Sequence, residues 1–239
     1  MKDTKQITTC FVSEWLEIPE KNDSIVVVID LLRATSVIST AFHYGVKEII
    51  PVQSLEETLI YKDKPNYIVA AERNARLIEG FDYGNSPFHY MNEYVKDKTL
   101  VLTTTNGTKA LKMAEGQHTI TASFINFDAV VNYLINENRD VILLCSGWKG
   151  LFNLEDTILS GKLASVLMNN GFQNNKDSTL AAIELFRLSD GNLFNFLSNS
   201  SHRKRLQSLN MEEDTKFCLN PTFKSDLVPI LKDGRLVKL

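Results

Sequence analysis

The stretch Ser24-Ile25-Val26-Val27-Val28-Ile29-Asp30-Leu31-Leu32-Arg33-Ala34-Thr35-Ser36 decides the fold. It opens with five consecutive aliphatic residues, and a short unbroken apolar run is typical of a strand buried on both faces, as in a parallel sheet. After Asp30 and Arg33 the pattern becomes helical, so the stretch predicts a strand, a turn and a helix. In open α/β folds the polar residues of such a turn lie at the carboxyl edge of the sheet, where ligands bind. Opposite charges beside the free N–H groups of a helix N-terminus suit an anion or a metal–anion pair.

The rest of the chain repeats this alternation of strand and helix. Further strands are predicted at Thr8–Val12, Glu48–Val52, Tyr67–Ala71, Thr99–Thr103, Gln117–Ala122 and Val141–Leu144. The Asp233-Gly234 pair predicts a C-terminal hairpin. Together these patterns predict an α/β fold with a mostly parallel sheet between two layers of helices, a three-layer α/β/α arrangement. We interpret residues 1–239 as a single domain, with internal halves at 1–98 and 99–239 as an alternative.

Composition limits the classes of function. The 239 residues carry a net charge of 26 − 29 = −3, so no basic field favours nucleic acid. Three widely spaced cysteines form neither a disulfide framework nor a metal-binding spacing, which indicates a reducing compartment. The N-terminus is polar, and no apolar run is long enough to cross a bilayer. We therefore expect a cytoplasmic protein that binds neither nucleic acid nor membrane.

Polar residues follow several predicted strands at the point where each strand ends. They are Asp30, Glu72-Arg73, Thr103-Thr104-Thr105-Asn106, Ser123 and Cys145-Ser146-Gly147. In a parallel sheet these residues all lie at one edge, so acids, cations and hydroxyls converge from distant segments. One charged strand end needs no functional explanation, but several together favour a site.

The segment Thr103–Thr108 has two interpretations. Small hydroxyls and a glycine before a helix leave backbone N–H groups free to face phosphate oxygens. The order of residues is not that of a Walker A motif. An elaborate helix N-cap without a ligand explains the same residues, and the segment alone does not decide between the two.

Charged residues near these turns are candidate ligands for a metal or a phosphate. The candidate oxygen ligands for a hard cation are Asp30, Glu72, Asp82, Glu155 and Asp156. Mg²⁺ usually takes only one or two protein carboxylates, so most of this set cannot ligate directly. Acids in the first turn of a helix also favour its dipole, which explains Glu155 and Asp156 without a metal. Arg33, Arg73 and Lys109 are the candidate phosphate cations.

Three other features have plainer interpretations. Cys145 follows an apolar strand and is interpreted as a buried small residue rather than a nucleophile. His202 is interpreted as a surface or capping histidine. The run Arg203-Lys204-Arg205 is interpreted as a solvated helix face.

Several motifs, in this order, resemble the 2-phosphosulfolactate phosphatase family (ComB-like). They are Asp30–Ser36, Glu72-Arg73, Gly80–Pro87, Thr103–Thr108 and Leu154-Glu155-Asp156, with a weaker match at Ser200-Ser201-His202. The resemblance implies a Mg²⁺-dependent phosphatase of coenzyme M synthesis, an α/β/α fold of two similar halves and a homodimer. The chain departs from the family at Asn74-Ala75, where glycines are usual, and at Asn153, where serine is frequent. The first departure puts close backbone approach to a ligand in question, whereas Asn caps a helix as well as Ser.

We therefore expect an enzyme that hydrolyses the phosphate monoester of a small anionic hydroxy acid, with (2R)-2-phospho-3-sulfolactate as the substrate that the resemblance implies. Catalysis is assigned to Asp30, Glu72 and Arg33, with one of the two acids positioning or deprotonating the attacking water. Mg²⁺ is assigned to the five carboxylates named above. Substrate binding is assigned to Arg73, Asn85, Ser86, Thr104, Thr105, Asn106, Gly107, Thr108, Ser146 and Gly147. Direct water attack and a covalent intermediate both stay open.

Two other functions remain as alternatives. A phosphate-ligand binding protein that has lost catalysis is motivated by Asn74-Ala75. A sugar-phosphate or nucleotide enzyme of another reaction type is weaker, since no Gly-rich dinucleotide fingerprint is present.

Overall fold

A computed structural model describes residues 4–17, 23–81, 83–189 and 191–239. Asp82 and most of the turn-rich connection after Ile18 lie outside the described residues. The strands are β1 (Gln6–Cys10), β2 (Ile25–Ile29), β3 (Glu48–Pro51), β4 (Tyr67–Arg73), β5 (Arg76–Leu77), β6 (Thr99–Thr103), β7 (His118–Ala122), β8 (Val141–Cys145), β9 (Gln173–Asn174), β10 (Pro229–Lys232) and β11 (Arg235–Lys238). The α-helices are α1 (Ala34–His43), α2 (Leu55–Leu59), α3 (Gly107–Met113), α4 (Phe127–Glu137), α5 (Leu154–Asn169), α6 (Asp177–Ser189), α7 (Leu193–Phe196), α8 (Ser201–Ser208) and α9 (Glu212–Leu219).

The predicted strands all form, with boundaries that shift by one or two residues. The first strand starts at Gln6 rather than Thr8 and pairs on both sides, with β8 and β9. Ser54 caps the N-terminus of α2, since its Oγ accepts from the Glu57 N–H at 3.1 Å. The C-terminal hairpin also forms, and the Asp233-Gly234 turn joins its strands.

The strands form one large, mostly parallel sheet with the order β5-β4-β6-β3-β11-β10-β7-β2-β8-β1-β9. The C-terminal hairpin is inserted in its middle, pairing with β3 on one side and β7 on the other. Strands that precede residue 98 are interleaved in the sheet with strands that follow it. The later strand β6 lies between the earlier strands β4 and β3, and the earlier strand β2 lies between the later strands β7 and β8. The division into halves at 1–98 and 99–239 stays a prediction.

The hairpin reverses the direction of the sheet, which corrects the expectation that all strand ends share one edge. Three successive antiparallel pairings (β3–β11, β11–β10 and β10–β7) make the set β3, β4, β6 run opposite to the set β2, β7, β8. Strand ends from the two sets nevertheless meet. A twist of about 20–25° per strand accumulates to roughly 100–125° between β6 and β2 and turns one set toward the other.

Helices cover both faces of the sheet, which confirms the three-layer α/β/α class. Side chains alternate along β2: Val26 and Val28 pack with α1 and α3, whereas Ile25, Val27 and Ile29 pack with α4, α5, α8 and α9. All five residues of β2 are buried, as the apolar run predicts. None of the helices in the described ranges is long and apolar enough to span a membrane.

Candidate active site

A small cavity lies where the end of β2 meets the end of β6. The enclosed space between its side chains is about 20 Å³. Its wall has contributions from the turns after β2, β4, β6 and β8, from the loop before Pro87, and from α8. The lining residues are Asp30, Leu32, Arg33, Glu72, Ala75, Asn85, Thr105, Asn106, Trp148, His202, Arg205 and Leu206. Six residues assigned from the sequence therefore come together in this wall: Asp30, Arg33, Glu72, Asn85, Thr105 and Asn106.

Asp30 is buried at the N-terminus of α1 and retains an uncommitted oxygen. Its Oδ1 accepts from the Ala34 N–H at 3.3 Å, while no described residue donates to Oδ2. The pKa of Asp30 is raised to about 6, chiefly by burial and also by the nearby carboxylates of Glu72 and Glu155, against the opposing effects of the Ala34 N–H and His202. A carboxylate with a pKa near neutrality and a free oxygen can hold a cation or accept a proton.

Glu72 is used differently, because both of its oxygens are bonded within the protein. Oε1 accepts from the Ala75 N–H. Thr105 donates its N–H to Oε2 at 3.2 Å and its hydroxyl to Oε1 at 3.1 Å. Glu72 thus ties the turn after β4 to the turn after β6, and it is less suited than Asp30 to act on a water.

Arg33 is held in place by an ion pair that the sequence did not predict. Its Nη1 pairs with Asp214 at the start of α9, and its Nη2 donates to the Ala75 carbonyl at 2.8 Å. Ser86 donates to the other Asp214 oxygen at 3.0 Å. The pair is buried, so α9 fixes the guanidinium at the cavity wall and partly neutralises it.

Glu155 and His202 form a buried dyad beside the cavity. His202 Nδ1 lies 2.6 Å from Glu155 Oε1, and Glu155 Oε2 is buried without a hydrogen-bond partner. A carboxylate only accepts, so Nδ1 carries the proton of this bond and Nε2 is left for other contacts. The interpretation of His202 as a surface or capping residue is wrong, since 9% of its side chain is exposed and it lines the cavity.

Asp156 links three segments, and both of its carboxylate oxygens accept hydrogen bonds within the protein. It accepts from the Leu31 N–H at 2.8 Å, from the Gly147 N–H at 3.3 Å and from Asn153 Nδ2 at 2.9 Å. Asn153 in turn caps α5 by accepting from the Asp156 N–H. Burial, and then the charges of Asp30 and Glu155, raise the pKa of Asp156 well above its usual value. The residue fixes the turns after β2 and β8 against α5.

The threonine segment serves as a helix cap and also positions Glu72. Thr104 and Thr108 bond reciprocally, with the Thr108 N–H donating to Thr104 Oγ1 at 3.2 Å and the Thr104 N–H to Thr108 Oγ1 at 3.3 Å. Gly107 lies where α3 meets α1. A Cβ on Gly107 would come within 2.5 Å of Ala34 Cβ and 2.8 Å of Asp30 Oδ2, so this contact requires glycine.

Other assigned residues lie outside the cavity wall. Arg73 donates to the Glu72 and Gln53 carbonyls and to Thr103 Oγ1, at 2.7–3.0 Å. Lys109 pairs with Glu14 at 2.5 Å. Ser146 and Gly147 belong to the turn after β8 but do not line the cavity. The Ser123 hydroxyl donates to Asn126 Oδ1. Cys145 is fully buried, and burial raises its pKa well above the usual value, as expected for an inert thiol.

The run 203–205 is not a solvated helix face, which corrects that interpretation. Arg203 is buried and stacks on Phe194, with 3.6 Å from Cζ to the ring centroid. Arg205 is half-buried and lines the cavity, and of the three only Lys204 is exposed. The sequence did not predict the burial of Arg203 and Arg205, because a run of cationic residues does not indicate which face of its helix packs against the rest of the protein.

Several polar atoms around the cavity are buried without a partner. They include two acceptors, Asn85 Oδ1 and Glu155 Oε2, and two donors, Trp148 Nε1 and Arg205 Nη1. Buried polar atoms are normally satisfied, and each exception calls for an explanation. Unsatisfied acceptors together with unsatisfied donors indicate that this cavity takes a polar ligand.

A much larger cavity, of about 940 Å³, shares no lining residue with this site. Phenylalanines are the most frequent residues in its wall, among them Phe124, Phe186 and Phe217, and one of its lysines, Lys224, pairs with Asp128. None of the unpartnered atoms above lies in it. Size alone would point there, but the convergent polar groups favour the small cavity.

The departure at Asn74-Ala75 falls on the loop that supports Glu72 and Arg33. Both residues have left-handed backbone, with φ of +55° and +67°, a conformation that glycine adopts without cost. Ala75 nevertheless bonds through its N–H and C=O to Glu72 and Arg33. The loop therefore keeps its contacts without glycine.

We expect Ala75→Gly to be more stable than Ala71→Gly by about 1–2 kcal/mol, the cost of left-handed backbone for a residue with a Cβ. Both substitutions remove a buried methyl and add glycine entropy to the unfolded chain. Only Ala75→Gly also relieves left-handed backbone. Urea unfolding of the two variants measures the difference, and equal destabilisation would contradict the assignment.

Known proteins match this chain over most of its length. The family model for 2-phosphosulpholactate phosphatase matches residues 12–234. A protein of Caldanaerobacter subterraneus subsp. tengcongensis is 40% identical, over 91% of this chain and 90% of its own length. One of Thermotoga petrophila is 43% identical, over 87% and 89%. One of Clostridium tetani is 38% identical, over 89% and 91%. Each of the three is named a probable 2-phosphosulfolactate phosphatase.

Proposed function

Since this chain belongs to the 2-phosphosulpholactate phosphatase family and is a phosphoric monoester hydrolase, we propose a specific reaction for it. It hydrolyses (2R)-2-phospho-3-sulfolactate to 3-sulfolactate and phosphate. The substrate is a small hydroxy acid that carries a phosphate ester, a carboxylate and a sulfonate. The names of the relatives support this choice. The observation that carries it on the molecule is the set of unpartnered donors and acceptors around Asp30.

We also propose that the reaction requires Mg²⁺. No three His, Cys, Asp or Glu side chains in the described ranges group as a metal site. Mg²⁺ needs no such group, since one or two carboxylates with water and phosphate oxygens complete its shell. Asp30 Oδ2 and Glu155 Oε2 are the carboxylate oxygens near the cavity that lack a protein donor. They fit a hard cation, which when bound would neutralise charge on the phosphoryl group.

The protein groups then have distinct roles in the proposed reaction. Asp30 orients the attacking water and can accept its proton. Glu72 holds the Thr105 N–H and hydroxyl at the cavity wall, and Arg33 adds a fixed positive charge. Fixed donors and charges of this kind act on the developing negative charge without reorganising.

A second candidate function is the binding of a phosphate ligand without catalysis. It is suggested by Asn74-Ala75, which replace the glycines that are usual in the family. The retained contacts of Ala75 with Glu72 and Arg33 count against it. A role in coenzyme M synthesis and a homodimer stand as proposals implied by the family. A cytoplasmic location stands as a proposal from the composition of the chain.

Phosphate release tests the proposal directly. Purified protein is incubated with phosphosulfolactate and with a panel of phosphorylated hydroxy acids, in Mg²⁺ and in excess chelator. We expect release that depends on Mg²⁺ and returns when Mg²⁺ is restored. Binding of the esters without phosphate release would instead support the binding protein.

A further inference from the structure

Arg205 and Trp148 form a pair of donors on one wall of the cavity. The Arg205 guanidinium lies over the Trp148 indole, with 4.9 Å from Cζ to the ring centroid. Arg205 Nη1 and Trp148 Nε1 are both buried, and neither has a hydrogen-bond partner. The two residues come from segments far apart in sequence, α8 and the loop after β8. Both line the cavity that holds Asp30.

The other arginines near the site are already committed. Arg33 pairs with Asp214, and Arg73 donates to backbone carbonyls and Thr103. Arg203 donates from Nη1 to the Phe194 carbonyl at 3.0 Å, and although its Nε is buried without a partner, it does not line the cavity. Arg205, by contrast, has no carboxylate within ion-pair distance among the described residues. A buried cationic group with an open donor is costly unless an anion completes it.

The charges on the two sides of the cavity differ. Asp30 and Glu72 are carboxylates at the strand ends, and they repel a carboxylate or sulfonate unless a cation intervenes. Arg205 and Trp148 instead offer N–H donors only. A guanidinium is a strong partner for a planar or tetrahedral oxyanion.

We propose that Arg205 and Trp148 bind the second anionic group of the substrate, the carboxylate or sulfonate, and so select anionic hydroxy-acid phosphates over simple alkyl phosphates. This inference rests on the proposed function for its substrate class. The phosphoryl group lies toward Asp30, and the acid group toward Arg205. The pair sets specificity through substrate binding rather than by acting on the reacting bond.

The test is a ratio of kcat/KM values on matched substrates. The panel holds 2-phospholactate, which has a carboxylate, phosphosulfolactate, which adds a sulfonate, and ethyl phosphate, which has neither. Arg205→Met is expected to lower the ratio of kcat/KM for the acid substrates to that for ethyl phosphate by about 10–100-fold, the effect of one lost charge-assisted bond. A loss confined to phosphosulfolactate would identify the sulfonate as the bound group, and a loss shared with 2-phospholactate the carboxylate.

Two further variants keep the test decisive. Lys204→Met removes a charge from the neighbouring, exposed position and should leave the ratio unchanged. Trp148→Phe keeps a ring but removes the N–H, and it should lower the ratio even where Arg205→Met does not fold. An unchanged ratio in the folded variants, or an equal change in Lys204→Met, overturns the proposal.

Binding of 3-sulfolactate by calorimetry separates this inference from the proposed function. If the wild type releases no phosphate but binds 3-sulfolactate more tightly than Arg205→Met does, the hydrolase proposal fails and the anion site stands. If the wild type binds 3-sulfolactate no better than Arg205→Met or Trp148→Phe, the anion site is wrong.

Discussion

Asp30→Asn is expected to lower kcat for phosphate release by about 10²–10⁴-fold, the range for a lost general base. The amide keeps the size of the side chain and an oxygen that can accept from the Ala34 N–H, which the carboxylate now does at 3.3 Å. It cannot accept a proton from water or bring a negative charge to a cation. Steady-state phosphate release measures the effect, and far-UV circular dichroism should be unchanged.

Asp128→Asn is the matched control for this substitution. Asp128 is an exposed acid paired with Lys224, outside the cavity of Asp30, so its amide variant should keep the wild-type rate. A wild-type rate in Asp30→Asn would remove Asp30 from the reaction. A fall of the same size in both variants would show that the loss is not specific to the site.

Asp30→Asn is expected to raise the stability of the fold in the presence of chelator, although it lowers activity. Burial first, and then Glu72 and Glu155, hold the pKa of Asp30 at about 6, above its unfolded value of 3.8. Protonation of Asp30 therefore stabilises the fold fully below about pH 4, and this stabilisation is lost as the pH rises through 6. At pH 8 the Asn variant should be more stable than the wild type by roughly 3 kcal/mol, since one unit corresponds to about 1.4 kcal/mol. The gap should close toward pH 4, and urea unfolding that shows no such pH dependence would contradict the buried charge.

Gly107→Ala is expected to lower kcat/KM by at least about tenfold and to reduce the free energy of unfolding by about 1–3 kcal/mol, as overpacking does. The new methyl would sit 2.5 Å from Ala34 Cβ and 2.8 Å from Asp30 Oδ2. Neither neighbour is a flexible chain end, so α1 and α3 must separate or Asp30 must turn. Activity and unfolding are measured on the same preparation.

Gly116→Ala separates this steric effect from a general cost of adding a methyl. Nothing lies within 4 Å of a Cβ at Gly116, but its φ is +84°. Its variant should lose about 1–2 kcal/mol through backbone strain alone and keep full activity. Full activity in Gly107→Ala would mean that the close approach of the two helices does not position Asp30.

Local patterns in the sequence were enough for the strands of four or more residues and for the residues at their ends, whereas the two-residue strands β5 and β9 were not predicted. The unbroken run Ile25–Ile29 forms a strand buried on both faces, and the turn after it holds Asp30. The reversal of the sheet could not be read in the same way. It follows from where the hairpin β10–β11 pairs, and pairing between segments more than 100 residues apart leaves no periodic signal.

The candidate site was predicted on its strand-end side only. Asp30, Glu72 and Asn106 come together, whereas His202, Arg205 and Asp214 were missed. These three belong to short polar helices, in which acids and bases usually face solvent. Only the packing of α8 and α9 against the sheet turns them inward. Asp214, for example, is one of three acids in the first turn of α9, and nothing in the sequence distinguishes it from Glu212 or Glu213.

The most direct test is a crystal structure of the protein soaked with MgCl₂, 3-sulfolactate and phosphate. We expect density for a cation beside Asp30 and density for an anion in contact with Arg205 and Trp148. Density for the anion only in the phenylalanine-lined cavity, or a cavity at Asp30 that holds water alone at saturating ligand, would contradict the account.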